Sequence, residues 1–162
     1  MKYFTIITLM ALTSFMVKAE KNVDIAQSEQ LKPTSSCLAF MQHNEKKLHA
    51  KEQLDLCQLT AGKAILIVNT ASHCGFTPQF KALESLHKAY ENKGLVVIGF
   101  PSNDFFQEED NEKDTADICF VNYGVTFTML SPVHVFGSEA HPIFKTLADK
   151  TTAPKWNFYK YL

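Results

Sequence analysis

Residues 64–78 read A-I-L-I-V-N-T-A-S-H-C-G-F-T-P, an apolar, β-branched run that passes through a cysteine into a Thr-Pro pair. The run from Ala64 to Thr70 is typical of a strand that is buried on both faces. Thr77 can cap a helix, and Pro78 loses nothing at the first helical position. The stretch therefore predicts a strand, a turn that carries Cys74, and a helix.

The following residues complete a crossover. Apolar residues fall on one face of the helix after Pro78, and Gly94 ends it. The run L-V-V-I-G-F at 95–100 predicts a second buried strand, which Pro101 terminates. A strand, a helix and a strand at this spacing predict a right-handed crossover between parallel strands. Sites commonly form in the loops that follow such strands, here the Cys74 turn and the acidic loop 101–111.

The rest of the chain predicts further elements of an α/β fold. We expect a helix over about 112–122 and another from His141-Pro142 to about Lys150. Strand candidates are T-F-T-M-L (126–130), V-H-V-F (133–136) and W-N-F-Y-K-Y-L (156–162). With 162 residues and 46% hydrophobic content, the chain can enclose one core, so we expect a single domain over 37–162.

The N-terminal residues have the layout of a secretory signal peptide. Lys2 precedes an apolar stretch that ends in small or branched residues, which predicts cleavage after Ala19. The alternative is an uncleaved anchor, but Lys18 interrupts the apolar run short of the ~20 residues that a membrane span needs. Residues 20–36 are polar and predict a loosely held leader. We therefore expect an exported protein, either periplasmic or secreted.

Composition also bears on partners and on the four cysteines. The net charge is −1 and no basic run is interleaved with aromatic residues, so nucleic acid is not expected as a partner.

Disulfides persist outside the cytosol, and four cysteines allow three pairings. We favour a structural Cys37–Cys57 bridge, whose loop of about 20 residues would contribute about 3 kcal/mol. This pairing leaves Cys74 and Cys119 as free thiols.

Cys74 can be interpreted as a reactive or as a packing residue. Free backbone amides at a helix start favour a thiolate, and Gly75 allows a tight turn. On the other hand, free cysteines are usually buried and inert. The sequence around Cys74 has no C-x-x-C pair, no zinc-ligand spacing, no G-x-S-x-G elbow and no phosphate loop. Position alone leaves both interpretations open.

Five ordered motifs give the chain a family resemblance. They are N-T-A-S-H-C-G-F-T-P-Q-F, G-L-V-V-I-G-F-P-S-N, N-Y-G-V-T-F, A-H-P-I-F-K and K-W-N-F-Y-K-Y-L, spread over residues 61–162. In order and spacing they resemble the glutathione peroxidase family, and most of all its exported bacterial branch, in which an extra cysteine pair precedes the core. The resemblance implies a thioredoxin-like fold with a central mixed β-sheet flanked by helices.

The resemblance also implies an activity. The family's nucleophile is selenocysteine or cysteine, and Cys74 occupies that position. Its thiolate would attack a hydroperoxide, become a sulfenic acid and be restored by a thiol. No cofactor is implied; the co-substrate would be glutathione or a thioredoxin-like protein. The alternative is a redox-sensing or binding module that uses the fold without turnover.

The family surrounds its nucleophile with Gln, Trp and Asn. Trp156 and Asn157 match the last two, whereas Asp104 stands at the Gln position in a loop that is one residue shorter before Gln107. Three interpretations follow: Asp104 points away while Gln107 or Asn103 supplies the amide, Asp104 is held protonated, or Asp104 acts as a base. Our hypothesis is that Asp104 lies at the site.

Two features of the resemblance concern the helix after the loop and the end of the chain. Cys119 is either a resolving thiol that forms a disulfide with oxidised Cys74 or a core cysteine. Relatives continue beyond the W-N-F-x-K-Y-L motif with a strand and a helix. We therefore expect that the C-terminal strand and helix are missing and that the sequence is a fragment.

Overall fold

A computed structural model describes residues 37–162 of the protein. The predicted signal peptide and the leader over 20–36 lie outside these residues. The strands are β1 (Asn44–Lys46), β2 (Gln53–Asp55), β3 (Ala64–Thr70), β4 (Leu95–Pro101), β5 (Thr128–Met129) and β6 (Lys160–Tyr161). The α-helices are α1 (Leu56–Thr60), α2 (Gln79–Tyr90), α3 (Glu112–Ala116) and α4 (Pro142–Lys150). Among the described residues, no helix is long and apolar enough to cross a bilayer.

The main sheet is mixed and has the strand order β5-β4-β3-β6. β3 and β4 run parallel over seven residues each, from the Ala64–Leu95 pair to the Thr70–Pro101 pair, and β5 is parallel to β4. β6 pairs antiparallel with the other side of β3. The predicted parallel crossover from β3 through α2 to β4 is confirmed. Its pairing brings the loops after β3 and β4 to the same edge of the sheet.

Alternating residues of the two central strands pack against helices on opposite faces of the sheet. Leu66, Val68 and Val97 share one core with the apolar residues of α2 and α3. Ile67, Ile98 and Phe100 share the other core with Leu56 of α1 and with the apolar face of α4. Both strands are therefore buried on both sides, as their continuous apolar runs predict.

The N-terminal part of the domain is a small hairpin whose flanks are joined by a disulfide and which is bonded to the main sheet through its backbone. β1 and β2 pair antiparallel, and Cys37 is bonded to Cys57 in α1, which is the pairing that the sequence favoured. The amide of Leu48 donates to Met129 of β5 at 2.9 Å. The hairpin thus packs onto the β5 edge of the main sheet.

The predicted start of α2 is wrong by one residue. The helix begins at Gln79, and Pro78 precedes it without a side-chain cap. The Thr77 hydroxyl does not cap the helix, because it donates to the carbonyl of Ala71 and accepts from the amide of Cys74. The residue holds the cysteine turn instead. Gly94 does end the segment, with a left-handed φ of 89°.

Three later predictions need correction. The helix over 112–122 is α3 followed by a π-helical segment over Asp117–Asn122. V-H-V-F is not a strand, because the amides of Val135 and Phe136 bind the Asp104 carboxylate instead of a neighbouring strand. W-N-F-Y-K-Y-L is extended only over β6, since Phe158 has a φ of 62°. The helix predicted from His141-Pro142 to Lys150 is confirmed as α4.

Candidate active site

Cys74 lies in a tight turn directly after β3. Its thiol is free and 6% exposed, and its Sγ accepts a hydrogen bond from the amide of Phe76 at 3.4 Å. The Thr77 hydroxyl accepts from the Cys74 amide at 3.0 Å, and the Thr77 amide donates to the Cys74 carbonyl at 2.9 Å. The turn thus fixes the sulfur and supplies one donor to it.

Gln107 joins the cysteine turn to the end of the chain. Its carbonyl accepts from the amide of His73, next to Cys74, at 2.9 Å. Its side-chain oxygen accepts from the Asn157 side chain at 3.0 Å. Because this contact uses the oxygen of Gln107, its amide nitrogen remains a donor. Gln107 is therefore bonded both to the residue next to Cys74 and to Asn157, two of the segments that the predicted site residues occupy.

Asn69, at the end of β3, holds the segment that carries Trp156 and Asn157. Its buried side chain donates to the carbonyl of Trp156 at 3.1 Å and accepts from the amide of Tyr159 at 3.0 Å. Its carbonyl also accepts from the amide of Phe158 at 2.7 Å. This polar residue within an apolar strand was not singled out from the sequence. An asparagine that ends a buried strand run was the signal that could have identified it.

The backbone turns sharply at Phe158, immediately after Asn157. A positive φ is a costly conformation for a bulky residue that is not glycine. The cost is offset by packing, because the Phe158 ring is 4% exposed and lies 5.1 Å from the Phe80 ring in edge-to-face contact. The turn ends the loop that presents Asn157, whose own side chain is buried at 2% exposure.

Trp156 is more exposed than its neighbour. Its side chain is 46% exposed, and its ring lies 5.3 Å from the ring of Phe105 in the loop after β4. The loop after β4 and the segment after α4 therefore meet through two contacts, Phe105 with Trp156 and Gln107 with Asn157. An exposed indole with a free N–H can reach a group bound at the surface of this site.

Asp104 is directed to a different part of the molecule. Its carboxylate binds His134 Nδ1 at 2.6 Å and accepts from the amides of Val135 and Phe136. Partial burial works to raise the pKa of Asp104, but these hydrogen bonds outweigh it and hold the pKa below its ordinary value. The geometry favours the interpretation in which Asp104 points away and Gln107 supplies the amide. A carboxyl with a lowered pKa is neither held protonated nor an effective base at neutral pH.

Glu108 is a buried carboxylate that the sequence did not identify. It accepts from the hydroxyl of Ser72, from the hydroxyl of Thr115 at 3.1 Å and from the amide of Glu109 at 2.8 Å. Burial raises the pKa of Glu108 in spite of these bonds. Its contacts tie the cysteine turn to α3. The adjacent Gln107-Glu108 pair in the acidic loop was the available signal.

Cys119, in the π-helical segment, is 1% exposed and belongs to the same apolar core as Cys74. Burial, together with the negative charge of Glu108, raises the pKa of Cys119 to about 12. Cys119 is therefore a protonated thiol at neutral pH in this state. A segment with π-helical turns is less regular than an α-helix and is common at functional sites.

The Asp104–His134 contact predicts a pH-dependent loss of stability in Asp104→Asn. The pKa of Asp104 is lowered, so its contribution is present above the ordinary value of 3.8 and is lost as pH falls through the folded-state pKa. The hydrogen bond with Asp104 raises the pKa of His134, so that contribution is present below 6.5 and is lost as pH rises through its folded-state pKa. We expect the free energy of unfolding of Asp104→Asn to fall furthest below that of the wild type, by about 2 kcal/mol, between pH 3.8 and pH 6.5.

The same variant also tests the direction of the Asp104 side chain. A carboxylate that is bonded to residues 134–136 does not face the sulfur, so the pH dependence of Cys74 alkylation by iodoacetamide should match the wild type. A shift of that profile to lower pH in Asp104→Asn would instead place the charge beside the sulfur and contradict this assignment.

Comparisons with known proteins agree with this arrangement. The family model described as glutathione peroxidase matches residues 40–148. Glutathione peroxidase homolog BsaA of Bacillus subtilis is 48% identical over 109 residues, which are 63% of this chain and 68% of the relative. Glutathione peroxidase of Lactococcus lactis is 45% identical over 107 residues, 62% of this chain and 68% of the relative. Glutathione peroxidase-like peroxiredoxin HYR1 of Saccharomyces cerevisiae is 44% identical over 108 residues, 62% and 66% of the two chains.

Solved structures support the thioredoxin-like fold. The crystal structure of Trgpx in apo form superposes with a TM-score of 0.57 at 34% identity, over 76% of each chain. That of T. cruzi GPX1 gives a TM-score of 0.54 at 26% identity, over 75% of this chain and 76% of the other. The matched family region contains Cys74, Gln107 and Cys119. The chain belongs to the glutathione peroxidase family, and it is a thiol-dependent peroxidase.

Proposed function

We propose that Cys74 is the peroxide-reducing residue and that the substrates are hydrogen peroxide or small organic hydroperoxides. The observation that carries this proposal is the position of the free Cys74 thiol. The sulfur sits in a turn where the Phe76 amide donates to it, next to the loop whose Gln107 is bonded to Asn157. A packing cysteine requires neither feature.

The reaction needs only this sulfur, a proton and a reductant. The Cys74 thiolate attacks the terminal oxygen of the hydroperoxide, an S–O bond forms and the O–O bond breaks. The leaving alkoxide or hydroxide takes up a proton and departs as alcohol or water. The sulfur is oxidised by two electrons to sulfenic acid. Two electrons from thiols, with release of water, return it to the thiol.

Neutral N–H donors are suited to a site that holds a thiolate and a peroxide. The Phe76 amide and the side chains of Gln107, Trp156 and Asn157 can donate N–H groups without placing a second negative charge near the thiolate. The side-chain oxygen of Asn157 is buried and has no hydrogen-bond partner among residues 37–162. Such an atom requires a water or a ligand hydroxyl.

The test is peroxide consumption by the purified protein over many cycles, with glutathione and with a thioredoxin supplied in turn. The wild type should consume many equivalents with at least one of the two reductants. Cys74→Ser should lose this activity by about 10⁴-fold or more because the nucleophile is absent. Cys119→Ser, a matched removal of the other free thiol, should retain peroxide attack by Cys74.

The alternative is a sensor that is oxidised once. In that case the wild type would consume one equivalent of peroxide and stop, whichever thiol was supplied. Equal consumption by the wild type and by Cys74→Ser would contradict both functions.

We further propose that Cys119 resolves the sulfenic acid. Its buried, protonated state requires the segment Asp117–Asn122 to open first, and the π-helical turns and the 74% exposed Val121 support such an opening. Once open, the Cys119 sulfur attacks the Cys74 sulfur, an S–S bond forms and hydroxide leaves with the thiol proton as water. A thioredoxin-like dithiol would then be the natural reductant.

Peptide mass analysis after one equivalent of peroxide tests this step. The wild type should contain a Cys74–Cys119 disulfide, whereas Cys119→Ser should contain Cys74 sulfenic acid that dimedone traps. Sulfenic acid alone in the wild type, with Cys119 reduced, would show that Cys119 is a core residue.

We also propose that the enzyme acts outside the cytosol. The layout of residues 1–19 and a Cys37–Cys57 disulfide are typical of an exported protein. N-terminal sequencing of protein recovered outside the cytosol should begin at Glu20, and a full-length chain retained in the cytosol would contradict export.

A further inference from the structure

A cluster of side chains that can ligate a metal ion lies where the β1–β2 hairpin meets α4. It consists of His43, Glu45 and His141. One ligand atom from each residue lies within 4.8 Å of the other two. None of the three belongs to the network around Cys74. Two imidazoles and one carboxylate form a ligand set that zinc and similar ions use in proteins.

The backbone holds the first two ligands in place. The amide of His43 donates to Met41 at 2.9 Å, and its carbonyl accepts from Leu56 at 3.0 Å. Glu45 lies two residues further along and pairs with Leu54 in the hairpin. Residues two apart on an extended chain point to the same side, so His43 and Glu45 face α4 together.

The third ligand begins α4. His141 Nδ1 accepts from the amide of Ile143 at 3.3 Å, so Nε2 carries the ring proton and donates to Glu45 Oε1 at 2.8 Å. A cation bound at Nε2 would replace this proton and move it to Nδ1. The exchange gives up the long capping bond, at a cost of about 1 kcal/mol or more because a protonated Nδ1 cannot accept from the Ile143 amide, and replaces the Nε2–Glu45 hydrogen bond by coordination of both groups to the cation. Coordination by three protein ligands outweighs a loss of this size.

The surroundings leave the cluster partly enclosed and reachable. The side chains of His141 and Glu45 are 13% and 16% exposed. The ring of His43 lies 5.3 Å from that of His141, and its nitrogens have no hydrogen-bond or salt-bridge partner within residues 37–162. His43 also lines a surface groove of 630 Å³, through which a hydrated ion can enter.

We infer that His43, Glu45 and His141 bind one divalent transition-metal cation of the zinc class. Imidazole nitrogen favours Zn²⁺, Co²⁺ or Cu²⁺ over Ca²⁺ and Mg²⁺, which take mostly oxygen ligands. The single carboxylate leaves the bound cation with a net charge of +1, and the fourth position is free for water. The cation joins the hairpin to the start of α4 and stabilises the folded domain, independently of peroxide reduction.

Zinc titration of the full chain against a chromophoric chelator tests the inference. The starting protein carries Cys74→Ser and Cys119→Ser, so that no free thiol competes for the metal. We expect one equivalent of Zn²⁺ to bind. His43→Gln and Glu45→Gln should each weaken binding by about 100-fold or more, because loss of even an outer-shell partner costs roughly 10- to 100-fold.

A matched control is His49→Asn, which removes an exposed histidine outside the cluster at a φ of 50° that asparagine tolerates. It should bind zinc as the starting protein does. Circular dichroism checks that each variant folds. If His43→Gln does not fold, the Glu45→Gln result alone tests the site, because glutamine has the same shape as glutamate. A visible Co²⁺ spectrum typical of four-coordinate nitrogen and oxygen ligation should be lost in Glu45→Gln. Zinc affinity unchanged in Glu45→Gln, or binding only at millimolar zinc, would overturn the inference.

Discussion

The parallel pairing of β3 with β4 is the constraint on which the site depends. Because Thr70 lies opposite Pro101, the cysteine turn and the loop after β4 leave the sheet at the same edge. The His73 amide then reaches the Gln107 carbonyl. Asn69, one residue before the end of β3, binds the Trp156–Tyr159 segment from the other side. A shift of one residue in this register would turn the apolar side chains of either strand to the wrong core and separate the two loops.

The Cys74 sulfur accepts a hydrogen bond from a neutral backbone amide, whereas the carboxylates of the loop after β4 bind other partners. The Asp104 carboxylate is ionised and is hydrogen-bonded to His134 and to the amides of Val135 and Phe136. Glu108 is buried behind the turn, and its charge contributes to keeping Cys119 protonated. The two free thiols therefore lie in different environments. Cys74 has an amide directed at its sulfur, whereas Cys119 is 1% exposed and burial raises its pKa.

The sequence predicted the crossover because it depends on local patterns, whereas the role of Cys74 as nucleophile rests on the family resemblance and stays a prediction. The apolar runs define β3 and β4, and the Thr-Pro pair indicates the turn and the helix between them. The sequence could not predict which hydrogen-bond partners the polar side chains have in distant parts of the fold. Thr77 was assigned to a helix cap that it does not form, and V-H-V-F was assigned to a strand although two of its amides bind Asp104. Asn69 and Glu108 were overlooked because their roles depend on contacts more than 30 residues away in sequence.

The central claim is that converging amide donors activate one sulfur towards peroxide. The most direct test is the second-order rate constant for oxidation of Cys74 by hydrogen peroxide, measured by stopped-flow. Asn157→Ala and Gln107→Leu should each lower the constant by about 100-fold, since loss of one donor to a developing anion has effects of this size. The exposed control Gln58→Leu should leave it unchanged. Rate constants for Asn157→Ala and Gln107→Leu equal to that of the wild type would contradict the account.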